Sequence, residues 1–118
     1  MDQPQNAYRL EVTSATAEGV TVVSVSGEID HTSAGPLVHA LEPDAVGEQP
    51  RVIVDMRQVS FMDSTGINVL LTAHRNLAKA GGWLRLADLQ ASVMRILDIV
   101  GVDHILPCYP NLPEALAV

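Results

Sequence analysis

Residues 51–71 read RVIVDMRQVSFMDSTGINVLL and contain the pattern that decides the fold. Residues 51–55 have a continuous apolar middle, which is typical of a strand covered on both faces. A loop is then expected to carry the chain to residues 63–65, whose Asp, Ser and Thr side chains favour the start of a helix. From Ile67 onward, apolar residues recur with the helical period, so this stretch predicts a buried strand followed by an amphipathic helix.

The segments before this stretch predict a hairpin and a helix. Residues 7–13 alternate apolar and polar side chains, and residues 20–26 are rich in β-branched residues, so both predict strands. The connection over residues 17–19 is short enough that the two strands should pair antiparallel. Pro36 suits the first turn of a helix that runs to about Leu41 or a few residues beyond.

Helices and strands alternate in the rest of the chain. The amphipathic helix has an apolar face of Ile67, Leu70, Leu71, Leu77 and Ala78 and stops at the glycine pair of residues 81–82. A strand is predicted at residues 83–86, and Asp88 is expected to cap the helix that follows it. That helix has an apolar stripe of Val93, Ile96, Leu97 and Val100 and ends at Gly101. A strand at residues 104–106 and a helix over residues 110–118, which Asn111 caps, complete the chain.

The order β-β-α-β-α-β-α-β-α predicts an α/β fold with a mixed, mostly parallel β-sheet and helices packed on it. The chain of 118 residues has the length of a single domain, residues 1–118, with a flexible N-terminus over residues 1–6.

Composition excludes several classes of function. The net charge of −7 argues against nucleic acid and against anionic membranes as direct partners. A single cysteine, Cys108, excludes an internal disulfide, and the polar N-terminus has no signal-peptide pattern, so we expect a cytoplasmic protein. No phosphate-binding glycine loop, dinucleotide fingerprint or metal-ligand spacing is present, so we expect no cofactor and no metal. His74 is expected to be a partly buried packing residue whose ring nitrogens are hydrogen-bonded.

The tetrapeptide at residues 63–66, Asp-Ser-Thr-Gly, allows two interpretations. Its side-chain oxygens are what the first backbone N–H groups of any helix need, so it can be only a cap. However, three capping residues stand where one suffices, and Gly66 leaves room for another molecule to approach closely. Phe61 and Met62 add two large apolar side chains, and such a mixture suits a contact surface.

The same residues resemble a known family. VSFMDSTGI at residues 59–67 closely resembles the signature of bacterial anti-sigma factor antagonists, the STAS domains of the sporulation and general-stress type. VSVSGEIDHTSA at residues 23–34 is similar to the family's V-x-G-E-[LI]-D segment, and residues 80–84 and 94–102 resemble its later landmarks. The resemblance spans residues 8–117 in the family's order and spacing.

The resemblance implies a non-enzymatic regulator that switches partners. Ser64 matches the serine that a partner anti-sigma factor, a serine kinase of the GHKL ATPase type, phosphorylates. The unphosphorylated antagonist binds that partner and releases its sigma factor, and a serine phosphatase resets the switch. Asp63, Thr65 and Gly66 match the motif around the acceptor, and whether Thr65 also accepts phosphate stays open. Asp30 matches an acidic residue beside the acceptor, and His31 and Thr32 follow it on the same loop.

Two other functions stand beside this one. Asp63 next to Ser64 is compatible with a small hydrolase, although neither a base relay nor a glycine-built oxyanion loop is recognisable. A STAS domain can also serve as a scaffold subunit without a switch, or bind a nucleotide near Asp30 and Ser64.

Overall fold

A computed structural model describes residues 10–47 and 49–117 of the chain. It contains five strands, five α-helices and a single 3₁₀ turn within those residues. The strands are β1 (Glu11–Ala17), β2 (Val20–Ile29), β3 (Arg51–Met62), β4 (Trp83–Ala87) and β5 (Cys108–Tyr109). The helices are α1 (Gly35–Ala40), α2 (Pro43–Val46), α3 (Ser64–Lys79), α4 (Ala91–Val100) and α5 (Leu112–Leu116), and the 3₁₀ turn is Val102–His104.

The five strands form one mixed sheet in the order β1-β2-β3-β4-β5. β1 and β2 are antiparallel, and β2, β3, β4 and β5 are parallel to one another. Glu18 and Gly19 join the first two strands, and both have positive φ, as a two-residue type I′ turn requires. The predicted α/β class, the first hairpin and the parallel remainder of the sheet are therefore confirmed.

The sheet is packed on both faces. Alternate residues of β3 point to opposite sides, so Val52 and Val54 belong to the larger core and Ile53 to a smaller one. The larger core takes Leu37 from α1, Leu70 and Leu77 from α3, and Val93 and Leu97 from α4. The smaller core is covered by α5, whose Ala115 is fully buried. The continuous apolar run at the start of β3 follows from this double burial.

β3 continues through residues 56–62, where a loop was expected, so that prediction is wrong. Two irregularities of register interrupt its pairing with β2, one between Ser24 and Ser26 and one between Gly27 and Glu28. At the first, the buried carboxylate of Asp55 accepts the backbone N–H of Arg57 at 3.1 Å and faces the Arg57 guanidinium at 3.7 Å. This side chain satisfies an amide that the bulge removes from the ladder.

The helix boundaries of the central stretch agree with prediction. α3 begins at Ser64 and ends at Lys79, before Gly81, whose φ of +87° only glycine adopts easily. Its buried residues are Gly66, Ile67, Leu70, Ala73 and Leu77, so the predicted apolar face is wrong at Ala78, which is exposed. Asn111 caps α5, its side chain accepting the N–H of Glu114 at 2.9 Å, as expected.

Three further predictions in the second half of the chain are wrong. Residues 104–106 are not a strand, because the 3₁₀ turn ends at His104 and the last strand is Cys108–Tyr109. Asp88 does not cap α4, whose N-cap is Gln90, and Asp88 lies instead in a tight connection with a φ of +61°. Val100 is 54% exposed, although it was expected in the buried stripe of α4. Residues 7–9 of the first predicted strand lie outside the described residues. No described helix is long and apolar enough to cross a membrane.

Candidate functional site

The site lies where β2 and β3 end side by side. Ile29 pairs with Met62, the last residue of β3, so the next residues along each strand, Asp30 and Asp63, leave the sheet next to each other. The N–H of Asp63 donates to the carbonyl of Ile29 at 3.2 Å and closes this junction. In parallel sheets, ligands usually bind at the carboxyl ends of the strands.

Asp63 supplies the cap of α3. Its backbone is extended, and its Oδ1 accepts the N–H of Thr65 at 2.9 Å and the N–H of Gly66 at 3.4 Å. A carboxylate in this position satisfies helix N–H groups that have no backbone acceptor and also faces the positive end of the helix. The capping function of the tetrapeptide is therefore carried by its first residue.

Ser64 is the first residue of α3 and is exposed. No hydrogen bond joins its hydroxyl to any residue within 10–47 or 49–117. Thr65 is half-buried and lines a groove between α1 and α3. The interpretation of the tetrapeptide as a helix cap is thus confirmed at Asp63, whereas the oxygen of Ser64 makes none of the capping contacts.

Asp30 organises the turn that follows β2. Its Oδ1 accepts the hydroxyl of Thr32 at 2.7 Å, the N–H of Thr32 at 2.9 Å and the N–H of Ser33 at 3.0 Å. These bonds stabilise the ionised carboxylate, the Thr32 hydroxyl most strongly, and hold the pKa of Asp30 below its usual value. His31 and Thr32 are both exposed beside it.

Ser33 is a structural residue of the site that sequence reasoning missed. Its hydroxyl donates to the carbonyl of Glu28 at 2.7 Å and accepts the N–H of Asp30 at 2.9 Å, so it ties the turn to the end of β2. The spacing of an aspartate followed by Thr and Ser two and three residues later is the signal that could have indicated this turn.

Phe61 and Met62 face opposite ways. Phe61, three residues before Ser64, is 44% exposed, whereas Met62 is fully buried. The expectation that both contribute to one contact surface is therefore wrong for Met62. Gly66 is buried as well, and a Cβ there would lie 2.8 Å from the Met62 sulfur and 2.9 Å from Cγ2 of Ile29. The glycine lets α3 pack onto the sheet rather than leaving space for an outside molecule.

The surface around Ser64 is acidic. Glu28 is exposed, and Asp30 and Asp63 are partly exposed, while residues 28–34 and 61–68 contain no lysine or arginine. Next to it lies a cavity of about 390 Å³ between α1 and α3, lined among others by Val38, Leu41, Thr65 and Val69.

Within the described residues, no three His, Cys, Asp or Glu side chains are grouped closely enough to hold a metal. His74 is half-buried in α3, as expected, but its buried Nδ1 has no hydrogen-bond partner among the described residues, so the expectation of a satisfied ring is wrong.

Comparison with known proteins gives consistent matches. The family model of the STAS domain matches residues 11–115. The anti-sigma F factor antagonist of Paenibacillus polymyxa is 29% identical over 91% of this chain and 92% of its own length. The anti-sigma-B factor antagonist of Bacillus subtilis is 38% identical over 71% of this chain and 76% of its own length. The crystal structure of an anti-sigma factor antagonist from Mycobacterium paratuberculosis superposes with a TM-score of 0.82 at 30% identity, over 98% of this chain and 96% of that one.

Proposed function

The chain belongs to the STAS-domain family of anti-sigma factor antagonists, and we propose that it binds an anti-sigma factor through the surface around Ser64 and loses that binding when Ser64 is phosphorylated. Anti-sigma factor antagonists are non-enzymatic regulators, so the hydrolase alternative is set aside. The proposed partner is an anti-sigma factor that is itself a serine kinase of the GHKL type. A serine phosphatase restores the binding form, and the whole cycle takes place in the cytoplasm.

The observation that carries this proposal is the unused hydroxyl of Ser64. Asp63 makes the capping hydrogen bonds of α3, while Ser64 is exposed and its hydroxyl makes no hydrogen bond to any described residue. An exposed, unbonded serine hydroxyl on a hydrogen-bonded junction of two strands and a helix is accessible to a kinase. A neutral hydroxyl there is also compatible with close contact to a partner.

The composition of the surface favours a protein partner with basic groups. Phe61 offers a partly exposed aromatic ring, and aromatic side chains are frequent anchors of protein interfaces. Around it stand the carboxylates of Glu28, Asp30 and Asp63 without a basic side chain in the same segments. Complementary charge on the partner would speed association and set orientation.

Phosphorylation would change the interface more than the fold. A phosphate adds about −1.5 to −2 charge at pH 7, and at Ser64 the helix dipole favours it by roughly 0.3–1 kcal/mol while Asp63 opposes it. An unpaired dianion forced into an interface fitted to a hydroxyl costs about 2–5 kcal/mol, by analogy with broken buried charge pairs. That is a loss of roughly 30-fold to several-thousand-fold in affinity.

Ser64 is favoured over Thr65 as the acceptor. Thr65 is half-buried, at the rim of the groove between α1 and α3, so a kinase would have less access to it. We therefore expect the Ser64→Ala protein to accept no phosphate and the Thr65→Ala protein to accept it as the unchanged chain does.

The test compares Ser64→Ala and Ser64→Asp proteins as baits in a lysate of the native organism, read by mass spectrometry. The alanine bait should retain a GHKL-type kinase, and the aspartate bait should lose it. Asn76→Asp is the matched control, because it adds the same charge at an exposed position of α3, twelve residues or about 18 Å along the helix. The retained kinase is then incubated with ATP and each protein, and phosphate is located by peptide mapping.

Each alternative has its own outcome. If the Ser64→Ala and Ser64→Asp baits retain the same larger assembly equally, the chain is a scaffold subunit and the switch is wrong. If neither bait retains a protein but a nucleotide raises the thermal midpoint, the ligand alternative is supported instead. The thermal midpoints of the unchanged chain and of the Ser64→Ala, Ser64→Asp and Asn76→Asp proteins are compared without ligand. Equal midpoints show that a difference in binding does not come from a difference in folding.

A further inference from the structure

The two edges of the sheet differ in how they are protected. β5, at one edge, consists only of Cys108 and Tyr109, and Pro107 and Pro110 flank it. Short edge strands and prolines are devices that prevent pairing with another chain. β1, at the other edge, has seven residues, contains no proline or lysine, and pairs with β2 without a bulge. No strand among residues 10–47 and 49–117 covers its outer side.

The register of the first hairpin determines which groups of β1 point outward. Ala17 and Val20 flank the two-residue turn, and such a pair exchanges two hydrogen bonds. Backbone hydrogen bonding alternates along an antiparallel strand. Counting from Ala17 toward the N-terminus of β1, every second residue is therefore hydrogen-bonded to β2. The residues between them direct their backbone N–H and C=O groups to the open side of the sheet, and these residues are Val12, Ser14 and Thr16.

This set of outward groups is complementary to itself. When two copies of β1 lie antiparallel with Ser14 opposite Ser14, Val12 of each copy lies opposite Thr16 of the other. All three outward residues then form hydrogen-bonded pairs, of two bonds each. In any other antiparallel register, at most two of these three residues of one copy lie opposite an outward residue of the other copy. Ser14 lies on the two-fold axis, so the contact is closed and does not propagate into a fibre.

The side chains permit the same register. Glu11 is the only charged residue of β1, and in this pairing it lies opposite Ala17 of the other copy. Thr13 lies opposite Ala15, so no like charges meet although the whole chain carries a net charge of −7. Five of the seven side chains are exposed, so few of them pack against other described residues.

We propose that β1 is a self-association edge, through which two copies of this chain join their sheets into one continuous ten-stranded sheet about a two-fold axis at Ser14. The contact is one strand wide and smaller than the interfaces of stable dimers, so the dimer is weak and reversible. It is separate from the Ser64 surface, which lies at the carboxyl ends of β2 and β3. Failure of this proposal leaves the proposed function untouched.

Single substitutions to cysteine in β1 test the register of the proposed pairing directly. In the paired strands the two Ser14 Cα atoms would be about 5.5 Å apart, within the range of about 4.4–6.8 Å that a disulfide bridges. Ser14→Cys should therefore form a covalent dimer under mild oxidation. Thr16→Cys is the matched control, because the two copies of residue 16 would be four positions apart along the strands, or about 14 Å. The unchanged chain gives the background from Cys108.

A mixing experiment tests the pairing further. Thr16→Cys protein mixed with Val12→Cys protein should form a mixed disulfide, whereas neither protein alone should. We expect the Ser14→Cys dimer to form at least about tenfold faster than the Thr16→Cys dimer, since only the first brings the thiols within bonding distance. Sedimentation velocity up to about 1 mM should show a reversible dimer of the unchanged chain.

Charged substitutions at Ser14, on the two-fold axis, test whether the dimer can be disrupted and then restored. Ser14→Lys and Ser14→Glu proteins should each sediment as monomers, and an equimolar mixture should recover the dimer. Equal cross-linking at residues 14 and 16, or monomers of the unchanged chain at every concentration, would overturn the proposal. If the unchanged chain stays monomeric while Ser14→Lys reduces binding to the anti-sigma factor, the edge accepts a partner strand and self-association is likewise refuted.

Discussion

The backbone N–H of Asp63 donates to the carbonyl of Ile29 at 3.2 Å, and this bond joins the end of β3 to the end of β2 at the point where α3 begins. It places the Asp30 turn and the cap of α3 side by side. Both are in turn held by carboxylates, since Asp30 bonds to Thr32 and Ser33 while Asp63 bonds to Thr65 and Gly66. The exposed Ser64 is thus carried by backbone that is bonded on both sides.

Replacement of Asp63 separates the cap from the charge. Asp63→Ala removes the acceptor of two helix N–H groups and should lower the free energy of unfolding by about 0.5–2 kcal/mol, measured by urea denaturation. Asp63→Asn keeps a capping oxygen and should lose much less. If both variants were equally destabilised, the charge rather than the cap would hold the start of α3.

Gly66 tests how closely α3 packs on the sheet. Gly66→Ala forces a methyl group against Met62 and Ile29 and should reduce the free energy of unfolding by about 1–3 kcal/mol. The matched control is Gly35→Ala in α1, where a Cβ meets no atom within 4 Å and alanine should be neutral or slightly stabilising. Equal unfolding midpoints for the two variants would contradict the close packing that the structure shows at Gly66.

Sequence patterns predicted the parts of the fold in which one period dominates. The apolar run at residues 51–55, the helical period of α3 and the cap at Asn111 each follow from local chemistry. The second half of β3 was missed because two bulges change its period: Met56, Val59 and Met62 are buried, and the two residues between each pair are exposed. A spacing of three matches neither a regular strand nor a helix.

The same bulges explain the errors at the site. Val59 pairs with Gly27 and Phe61 with Glu28, so Ser60 is the extra residue, and both Ser60 and Phe61 point outward. Alternation alone cannot reveal that Phe61 is exposed while Met62 is buried. Ser33 was missed for a different reason: its hydrogen bonds to Glu28 and Asp30 depend on how a turn closes. The position of Ser64 at a helix start, by contrast, was predictable from the tetrapeptide itself.

The pKa of Asp30 should respond to Thr32. The Thr32 hydroxyl is the strongest of the groups that lower this pKa, so Thr32→Val should raise the titration midpoint of the Asp30 carboxyl, followed by carbon-13 NMR. Because the pKa is lower in the folded state, the ionised carboxylate stabilises the fold above its unfolded pKa, and this contribution is lost as the pH falls through the folded pKa. His31→Ala, a neighbouring change that removes none of these bonds, should leave the midpoint unchanged. An unaltered midpoint in Thr32→Val would contradict the observed turn.

Cys108 should be an unreactive thiol in the folded protein. Burial, with a smaller contribution from the charge of Asp103, raises the pKa of the Cys108 thiol to about 11, and its sulfur lies 3.3 Å from the carbonyl of Leu106. At pH 8 a thiol with an ordinary pKa of about 8.5 has roughly 200-fold more thiolate, so the folded chain should react with a disulfide reagent far more slowly than the urea-unfolded chain.

The raised pKa of Cys108 also predicts a dependence of stability on pH. Above about pH 8.5 the unfolded chain has released the thiol proton and the folded chain has not, so the free energy of unfolding should fall as the pH rises, until the folded thiol ionises near pH 11. The thiol contribution is the difference between the unchanged chain and Cys108→Ala, because tyrosine and lysine titrate in both. Parallel stability curves for the two proteins between pH 8 and pH 11, or a folded-state reaction rate within about tenfold of the unfolded one, would show that the thiol is not shielded as the structure indicates.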